Sequence, residues 1–598
     1  MRSIPHFLVA WTVIIGGCKQ PKPAASVASN NAPATASSIA PAPWFADVTG
    51  KSGLQFVHEV GPVGNYALPQ IMGSGAALFD FDGDGRLDAY LIQNAGPNGP
   101  KNQLFHQEPD GTFRDVSAGS GLDVAGYGMG VAIGDVNNDG LPDVLLCEYG
   151  GIRLFLNNGN GTFTEVTREA GLSEAPPMPS PQATVTCVDT GTHPEIRPWP
   201  MCAAFVDLKR SGWLDLVVVS YVAYDPSRQC TDPTGKPDYC GPADFPGGIT
   251  RVYRNLGTSP GVSAPAIPHF QDITSAAGLA SAPSWGLGIV AADFDGDGWP
   301  DLLIANDGRP NQLWINQHDG TFKNQAVERG LAYSAAGQSA GNMGIALGDV
   351  QGDGLFDVYI THLTDEYNAL WIQHPRGVFT DRTAAAGLIG HGQGTGFGTV
   401  LADFDLDGAL DLAVVNGGVL RSAHPVSQAD APNLAPYWRA YAQRNQLFAG
   451  DGTGHFRDVS SANAGFRATP NVARGLAYGD IFNDGSVSLL VTTVAGPARA
   501  YRNIARRRGH WLEVRAILPR SGGRDAYGAT VRVRAGGRQF LGLVNPASSY
   551  LCGNDPRVHF GLGKADHVQA IDVDWPDGTH ETFPGEIVDR RIVVREGM

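Results

Sequence analysis

The chain alternates short apolar runs with polar turns, and this pattern repeats along most of its length. In the second repeat the runs are "GVAIGDV", "DVLLCEY", "IRLFLNN" and "TFTEVT", between residues 130 and 167. Short runs rich in β-branched and aromatic residues, bounded by Gly, Asn or Asp, are typical of antiparallel strands. Long segments with the periodicity of amphipathic helices are almost absent. The pattern therefore predicts an all-β protein made of four-stranded units.

An acidic motif, D-x-D-x-D-G-x-x-D, separates the first two runs of each unit and allows the units to be counted. Three copies are intact and comprise Asp80, Asp82, Asp84 and Asp88; Asp293, Asp295, Asp297 and Asp301; and Asp403, Asp405, Asp407 and Asp411. Two copies carry an amide at position 3 and comprise Asp135, Asn137, Asp139 and Asp143; and Asp349, Gln351, Asp353 and Asp357. Two degenerate copies begin at Asp207 and Asp480. The motif therefore indicates seven units.

A second motif, F-x-[DEN], follows every acidic copy except the last. An additional copy at Phe45 precedes the first acidic motif, so the strand at residues 45–49 is predicted to complete the last unit. One four-stranded sheet cannot bury both faces alone, whereas sheets stacked around an axis cover one another. We therefore predict a seven-bladed β-propeller over residues 44–504, closed by this early strand.

The acidic motifs offer the ligands and the turn that calcium requires. Calcium takes six to eight oxygen ligands with flexible geometry, and the glycine at position 6, such as Gly85, permits a sharp turn. An EF-hand would need a glutamate at position 12, but the five more complete copies carry only apolar residues there. We predict that the twenty side chains named above for these five copies bind about five structural Ca²⁺ ions in hairpin turns.

Other interpretations of the acidic motifs are less favoured. Magnesium prefers strict octahedral geometry, and zinc prefers His or Cys ligands, which these loops do not contain. Asp, Asn and Gly are also ordinary turn formers, but five copies with the same spacing favour a cation. In the degenerate copies, we expect the ammonium of Lys209 to occupy the cation position, and we expect Phe482 and Ser488 to weaken or abolish binding near Asp480.

Two flanking signatures resemble known repeats and a known domain. The acidic loops with "N-x-L-F" and "F-x-D-V-T" segments resemble FG-GAP/VCBS repeats, the blades of the integrin α-subunit propeller. The segment "YGATVRVRAGGRQFLGLVNPASSYLCGNDPRVHFGLG" resembles the ASPIC/UnbV domain, which follows such a propeller in the cartilage acidic protein-like family. The resemblance implies an integrin-α-like propeller followed by an ASPIC/UnbV domain at residues 505–598. Its alternating runs predict a small β-sandwich in which Arg532 and Arg534 share one exposed face.

The charge distribution narrows the class of partner. The net charge is −16, which argues against nucleic acid because phosphate binding needs a basic surface. From Arg506 onward, 14 Lys and Arg against 11 Asp and Glu give +3, so the preceding residues carry −19. We expect the slightly basic C-terminal domain to dock on the acidic propeller.

The N-terminus predicts export. Residues 1–18 contain one early basic residue, Arg2, then an apolar run too short to span a bilayer, which is typical of a secretory signal. The ending "IGGC" resembles a bacterial lipobox, which would make Cys18 the lipidated anchor; the alternative is an ordinary signal with Cys18 incidental. Residues 19–43 are rich in Pro, Ala and Ser and are predicted to be a disordered tether. We therefore expect a protein tethered to a bacterial membrane, on its periplasmic or cell-surface side.

Six cysteines remain for the exported chain if Cys18 is lipidated. Cys187 and Cys202 flank one turn-rich insertion, and Cys230 and Cys240 flank another, so these two local disulfides are the preferred pairing. Cys147 lies in an apolar run and is predicted to be a buried free thiol.

The sequence favours a binding scaffold over an enzyme. It contains no common catalytic motif, and almost every clustered aspartate is assigned to a metal. We predict no catalytic residues and expect a calcium-stiffened scaffold for recognition of, or adhesion to, a protein or glycan. The alternative is a carbohydrate-active lyase or hydrolase built on a propeller, which would need an acid of raised pKa in a cleft.

Overall fold

The structure is a computed structural model that describes residues 42–172, 197–258, 265–392 and 394–598. Almost all regular structure is β, as predicted. The first strands in chain order are β1 (Phe45–Asp47), β2 (Ala76–Phe79), β3 (Asp88–Leu91), β4 (Gln103–Gln107), β5 (Phe113–Asp115), β6 (Gly128–Gly134), β7 (Asp143–Glu148), β8 (Gly151–Asn157), β9 (Phe163–Glu165), β10 (Pro200–Val206), β11 (Asp215–Ser220), β12 (Cys230–Thr231), β13 (Pro237–Asp238), β14 (Arg251–Thr258) and β15 (Pro268–Asp272).

The next strands continue the same repeat. They are β16 (Gly286–Ala292), β17 (Asp301–Asn306), β18 (Gln312–Asn316), β19 (Phe322–Asn324), β20 (Ile345–Gly348), β21 (Asp357–Ile360), β22 (Ala369–Gln373), β23 (Phe379–Asp381), β24 (Gly396–Ala402), β25 (Asp411–Asn416), β26 (Gln446–Gly450), β27 (Phe456–Asp458), β28 (Ala473–Gly479), β29 (Ser488–Thr493) and β30 (Arg499–Asn503).

The C-terminal strands are β31 (His510–Leu518), β32 (Arg524–Asp525), β33 (Thr530–Ala535), β34 (Arg538–Leu543), β35 (Ala547–Ser548), β36 (Cys552–Gly553), β37 (Val558–Gly563), β38 (Val568–Asp574), β39 (His580–Pro584) and β40 (Arg590–Arg595). The α-helices in the described residues are single turns, α1 (Thr49–Ser52), α2 (Pro69–Met72) and α3 (Ala464–Arg467), with short 3-10 turns at Pro242–Asp244, Leu279–Ser281, Pro436–Ala440, Ser460–Ala462 and Pro519–Ser521. Within the described residues, none of these helices has the length and apolar character needed to cross a membrane.

The repeat builds seven four-stranded antiparallel sheets among the described residues. Sheets 1 and 2 are β2–β5 and β6–β9, sheet 3 is β10, β11, β14 and β15, and sheets 4, 5 and 6 are β16–β19, β20–β23 and β24–β27. Sheet 7 has the order β1-β30-β29-β28, so its outer strand comes from the start of the chain. The first strands of successive sheets contact one another in a closed cycle that returns from β28 to β2.

The early strand closes the ring, as predicted, although it ends at Asp47 and not at Thr49. In the β1–β30 pair, Phe45 lies opposite Asn503 and Asp47 lies opposite Tyr501. The Phe45 side chain is buried, and its ring packs edge-on against Phe404 in sheet 6 at 5.0 Å between centroids. The first and last parts of the propeller sequence therefore share one sheet, which leaves no unpaired edge at the junction.

Glycines allow the first strands to approach closely around the axis. The residue five positions before the first aspartate of each acidic loop is a glycine in six sheets and Cys202 in sheet 3. The six glycines are Gly75, Gly130, Gly288, Gly344, Gly398 and Gly475. A Cβ at Gly130 would lie 2.5 Å from the carbonyl oxygen of Met201, and one at Gly344 would lie 2.1 Å from that of Phe397. The side-chain-free position is therefore required by contact between neighbouring backbones.

The C-terminal residues form the predicted sandwich of two four-stranded sheets. One sheet contains β31, β32, β37 and β40, and the other has the order β34-β33-β38-β39. Val531 and Val533 are fully buried, whereas Arg532 and Arg534 alternate with them and pair with Asp574 and Asp572 on β38. The two arginines share a solvated face, as the alternation predicted.

A segment of the sandwich enters the ring and fills its axis. This plug segment, residues 545–555, contains β35 and β36, and β36 pairs in parallel with β2. Ser549 exchanges backbone hydrogen bonds with Ile345 in sheet 5, and its hydroxyl oxygen accepts from the Thr399 N–H in sheet 6. Through β35, β36 and Ser549, the plug contacts the first strands of all seven sheets. Residues 42–598 consequently form one compact unit.

The cysteines only partly follow the predicted pairing. Cys230 and Cys240 form a disulfide, the preferred pairing for that insertion. Cys202, predicted to pair with Cys187, is a buried free thiol whose Sγ donates to the Leu287 carbonyl oxygen at 3.3 Å. Cys202 lies in β10, and its side chain faces the neighbouring first strand, β16, where it forms no disulfide. Cys187 lies outside the described residues. Cys147 is a buried free thiol, as predicted.

We expect the plug to contribute strongly to stability through Tyr550. This side chain is fully buried, its ring packs against Phe397 at 4.8 Å, and its hydroxyl donates to the Met72 carbonyl at 3.2 Å. Tyr550→Ala should lower the free energy of unfolding by about 3–5 kcal/mol, whereas Tyr550→Phe, which loses only the hydrogen bond, should cost about 1 kcal/mol. Denaturant unfolding measures both; equal losses in the two variants would contradict the packing role.

A buried histidine should make the fold sensitive to acid. His58 is 1% exposed, its Nδ1 accepts from the Ala495 N–H, and burial lowers its pKa to about 3. Between pH 6.5 and 3 the unfolded chain binds a proton that the folded chain refuses, so stability falls as pH falls. At pH 5 this costs about 2 kcal/mol. Between pH 7.5 and pH 5, the His58→Gln variant should lose about 2 kcal/mol less free energy of unfolding than the wild type. An equal loss in the two proteins would refute the assignment of this pH dependence to His58.

Candidate metal centres

The seven acidic loops share one backbone design. We number each loop from its first aspartate, and acidic loop n belongs to sheet n. In every loop the position 1 carboxylate accepts the N–H of the position 6 glycine at 2.7–2.9 Å. Those glycines all have positive φ, from 78° for Gly485 to 90° for Gly408. The first aspartate therefore holds the turn even in the degenerate loops.

The position 9 aspartate links the loop to the sheet. In the first six loops one of its oxygens accepts the position 2 N–H, and the other accepts an N–H from the third strand of the sheet. Asp88, for example, accepts from Phe81 and Gln107. Burial raises the pKa of Asp88 and of Asp301 to about 8 and that of Asp357 to about 7. Positions 1 and 9 are thus explained in part by the fold itself.

Positions 3 and 5 add the remaining acidic side chains of the motif, and in the five more complete loops the position 5 carboxylate also accepts the position 7 N–H. In the intact loops they gather carboxylates: ligand oxygens lie within 4.8 Å of one another among Asp80, Asp82 and Asp84; Asp293, Asp295 and Asp297; and Asp403, Asp405 and Asp411. Two unit charges 4 Å apart repel by about 4 kcal/mol at an effective dielectric constant of about 20. This repulsion is a cost that a bound cation would offset.

Acidic loop 6 gives the clearest geometry. Asp403, Asp405 and Asp411 are each no more than 3% exposed, and the Oδ1 atom of Asp405 is buried without a hydrogen-bond partner. Burial raises the pKa of Asp403 to about 8 and, with Asp407 adding repulsion, that of Asp405 to about 6. A buried carboxylate oxygen without a partner is costly, and a calcium ion is a partner that fits an all-oxygen donor set. In acidic loop 4 the Oδ1 atom of Asp295, also at position 3, is likewise buried and unpartnered.

The two loops with amides differ from each other. In acidic loop 2, Asn137 faces the loop, donating its amide to Asp139 at 2.9 Å and accepting the Asp139 N–H. In acidic loop 5, Gln351 is exposed and lies against Gly454 of sheet 6, so it is not gathered with Asp349, Asp353 and Asp357. Asp135 and Asp349 keep the position 1 hydrogen bonds of the other loops.

Arginines from the third strand compensate the degenerate loops. In each sheet the second and third strands pair in an antiparallel register that places one third-strand residue opposite position 9 of the acidic loop. This residue is Arg254 in sheet 3 and Arg502 in sheet 7. The charge of Arg254 opposes the burial that raises the pKa of Asp215 to about 7, and Arg502 lies 2.9 Å from the Asp484 carboxylate. Lys209, expected at the cation position, instead lies beside the Asp319–Gly320 turn of sheet 4. Sequence reasoning missed these arginines because they come from another strand.

The third-strand residue opposite position 9 of the acidic loop has a different character in the other sheets. It is apolar in sheets 2, 4, 5 and 6, where the residues are Leu156, Ile315, Ile372 and Ala449. In sheet 1 it is His106, whose Nδ1 lies 3.2 Å from Asp88 Oδ1 and 3.5 Å from Asp82 Oδ2. The acidic loops themselves contain no histidine, as the sequence shows, and His106 approaches acidic loop 1 from strand β4.

The C-terminal sandwich covers the face that carries the acidic loops. Arg508 lies 3.1 Å from Asp405 and 2.9 Å from Asp407. Arg591 lies 3.6 Å from Asp480 in the second degenerate loop, and Arg524 donates to the Asn138 side chain and the Gly212 carbonyl. The predicted docking of a basic domain on the acidic propeller is thus made by arginines set against these loops.

Near the axis, the described carboxylates do not form a catalytic group. Asp238 accepts from the Tyr441 hydroxyl at 2.6 Å, and Asp307 accepts from the Tyr221 hydroxyl at 2.6 Å. Among the described residues, neither belongs to a cluster of three or more acidic, histidine or cysteine side chains. The plug occupies the space between the first strands.

Comparison with known families assigns both parts of the chain. A family model described as FG-GAP-like repeat matches residues 80–146, 135–218, 293–360 and 349–414. A second, described as ASPIC and UnbV, matches residues 519–598. The second match begins just after β31, although this strand pairs with β32, β37 and β40 in one sheet of the sandwich.

Curated relatives match this chain over only part of their length. The chain is 27% identical to cartilage acidic protein 1 of Mus musculus over 325 residues, which are 47% of this chain and 48% of that protein. It is 27% identical to the Homo sapiens protein of the same name over 320 residues, 52% of this chain and 43% of that protein. The chain thus spans about half the length of the curated relatives it matches.

Solved structures show only distant likeness. An Agrocybe aegerita lectin that recognises non-reducing terminal N-acetylglucosamine has a TM-score of 0.35 and 14% identity, covering 71% of this chain and 86% of that chain. Bacillus licheniformis rhamnogalacturonan lyase has a TM-score of 0.34 and 14% identity, covering 76% of each chain. At such scores the likeness supports no argument about function.

We expect Arg254 to stabilise acidic loop 3 in place of a metal ion. Arg254→Leu should lower the free energy of unfolding by about 1–3 kcal/mol, because the buried carboxylate of Asp215 loses its nearby positive charge. A matched control is Arg251→Leu on the same strand, since Arg251 pairs with the partly exposed Asp272 and should contribute less than about 1 kcal/mol. Thermal unfolding of both variants tests this; a larger loss in Arg251→Leu would refute it.

Proposed function

Since the chain is a member of the group in which FG-GAP-like repeats precede an ASPIC and UnbV domain, we propose that it is an exported, membrane-tethered calcium-binding scaffold for recognition of a protein or glycan. The observation that carries the calcium assignment is the buried, unpartnered oxygen at position 3 of acidic loops 4 and 6. Hydrogen bonds within the turn account for positions 1 and 9 but leave this oxygen without a partner.

Calcium also explains the charge of the molecule. Five ions would add +10 to the net charge of −16 and leave −6. Ions that bind only the folded chain stabilise it by mass action, by about 2.7 kcal/mol for each site when the free ion is at 100 times its dissociation constant. In the two degenerate loops, Arg254 and Arg502 supply positive charge instead, which fits a role for the cation in holding the turns.

The export and anchoring parts of the proposal rest on the sequence. Residues 1–18 have the pattern of a lipoprotein signal, with Cys18 as the lipidated residue, and residues 19–43 have the composition of a tether. All but the last two of these residues lie outside the described part of the chain. A tether of this length places the recognition body about 25–30 Å from the bilayer surface.

We place recognition on the face opposite the acidic loops. The sandwich covers the acidic face, and two long connections between the second and third strands, residues 221–250 and 417–445, lie at the other end of their sheets. There Tyr66 packs against Tyr239 at 5.5 Å and Tyr437 at 6.1 Å, and the Arg421 guanidinium donates to the Tyr66 hydroxyl at 2.7 Å. This cluster locks three separate segments together and gives the loops around it a fixed shape, which lowers the entropic cost of binding.

Calcium binding is tested on residues 42–598, the compact unit. Metal content by mass spectrometry should be about five Ca²⁺ per chain, and the melting temperature should rise when Ca²⁺ replaces a chelator. Asp405→Asn should lose one ion, whereas Asp451→Asn, at an exposed turn of the same sheet, should lose none. Fewer than about three ions, or no rise in melting temperature, would overturn the calcium assignment.

Recognition is tested with protein and glycan arrays, alongside a polysaccharide cleavage assay. Binding to an array component should be weakened by Leu420→Glu, which changes an exposed side chain of the 417–445 segment, and not by Ile587→Glu in the sandwich; the two side chains are 63% and 57% exposed. Cleavage of a polysaccharide would instead favour the enzyme alternative. Binding abolished only by the Ile587 variant would place recognition on the sandwich.

A further inference from the structure

We propose that acidic loop 1 differs from the other loops and takes a transition-metal dication of the Zn²⁺ class, with His106 as a ligand. This inference rests on the proposed metal-binding role of the acidic loops and narrows it for one loop. The geometry that carries it is a mixed donor set: one ligand atom each from Asp82, Asp88 and His106 lies within 4.8 Å of the others.

His106 is aimed into acidic loop 1, where its Nε2 also lies 3.9 Å from Asp84 and its ring packs edge-on against Phe81 at 5.9 Å. Its side chain is 12% exposed, and its Nδ1 atom is buried without a hydrogen-bond partner. The neighbouring acceptor, Asp88 Oδ1, already accepts the Gln107 N–H at 2.8 Å. An imidazole nitrogen that faces two carboxylates is favourable either as a proton donor to them or as a ligand that shares a cation with them.

The donor spacing fits a small ion. Nδ1 of His106 lies 3.2 Å from Asp88 and 3.5 Å from Asp82. Ligands bound tetrahedrally at about 2.0–2.1 Å from Zn²⁺ lie about 3.3 Å apart. The three side chains come from two elements, the loop and the adjacent strand β4, so their meeting is fixed by the sheet register and not by the loop sequence alone.

A second feature of this loop makes it a poorer calcium site. Position 7 is Arg86, which forms an ion pair with Asp84 and donates to the Gln107 carbonyl at 2.8 Å. The corresponding residues in the other loops are uncharged: Leu141, Trp213, Trp299, Leu355, Ala409 and Ser486. The position 5 carboxylate of acidic loop 1 is therefore partly neutralised by an arginine of the loop itself, whereas Asp405 and Asp407 of acidic loop 6 pair with Arg508 from outside the loop.

Ligand chemistry then separates the loops. Calcium prefers oxygen donors, and loops 2, 4, 5 and 6 present only apolar residues opposite position 9. Imidazole with carboxylate suits zinc and its neighbours among first-row metals. Three protein ligands would leave at least one coordination position of the metal for water. The site would therefore favour transition metals over calcium and still be open to solvent.

The test uses residues 42–598, freed of metal, in excess Ca²⁺ and titrated with Zn²⁺ and, as a visible reporter, with Co²⁺. We expect one Zn²⁺ per chain to bind in competition with calcium. His106→Leu, which installs the residue type that sheet 2 has at this position, should weaken Zn²⁺ binding by about 100-fold and leave the calcium content of the other loops unchanged. Far-ultraviolet circular dichroism and melting confirm that the variant is folded.

The matched control is His318→Leu. His318 also contacts an acidic loop, at 2.6 Å from Asp297, but it is an exposed side chain stacked on Trp299. It should leave Zn²⁺ binding unchanged. Zn²⁺ binding that is equal in the wild type and His106→Leu, or absent from both, overturns the inference, and the imidazole then compensates the loop as Arg254 does in sheet 3. If the wild type binds Zn²⁺ but none of its loops binds calcium, the proposed calcium scaffold is refuted and the inference about acidic loop 1 stands.

Discussion

The interaction on which the rest of the structure depends is the hydrogen bond from the position 6 glycine N–H to the first aspartate of each acidic loop. It occurs in all seven loops and fixes the tight turn between the first and second strands. The position 9 aspartate then ties that turn to the third strand in six of them. Because these bonds are formed by the protein alone, the sheet can keep its geometry while the remaining acidic positions vary.

That separation explains why the seven loops balance their charge in different ways. Asp295 and Asp405 each keep a buried oxygen without a protein partner, whereas sheets 3 and 7 place arginines opposite position 9. His106 occupies the same position in sheet 1. The residue opposite position 9 thus contributes to the charge balance of three loops, while Arg508 and Arg591 reach acidic loops 6 and 7 from the C-terminal part of the chain.

The C-terminal sandwich is part of the propeller's core in a physical sense. Its plug contacts the first strands of every sheet, and its arginines lie against acidic loops 6 and 7 and beside acidic loops 2 and 3. Glycines such as Gly75 and Gly130 leave room for this arrangement, since a Cβ at either would collide with a neighbouring backbone. The acidic face and the axis are consequently occupied, and the opposite face is the one left with long loops.

The sequence by itself determined the strand repeat, the seven acidic turns and the completion of the last sheet by Phe45, because alternation, glycine placement and aspartate spacing are local properties. Only the tertiary structure decided which residues face the loops from outside. His106, Arg254 and Arg502 lie in ordinary strand positions, and their roles come from the register between two strands. The plug around Tyr550 and the free thiol of Cys202 were likewise settled by packing around the axis, where contacts join residues hundreds of positions apart and leave no local pattern.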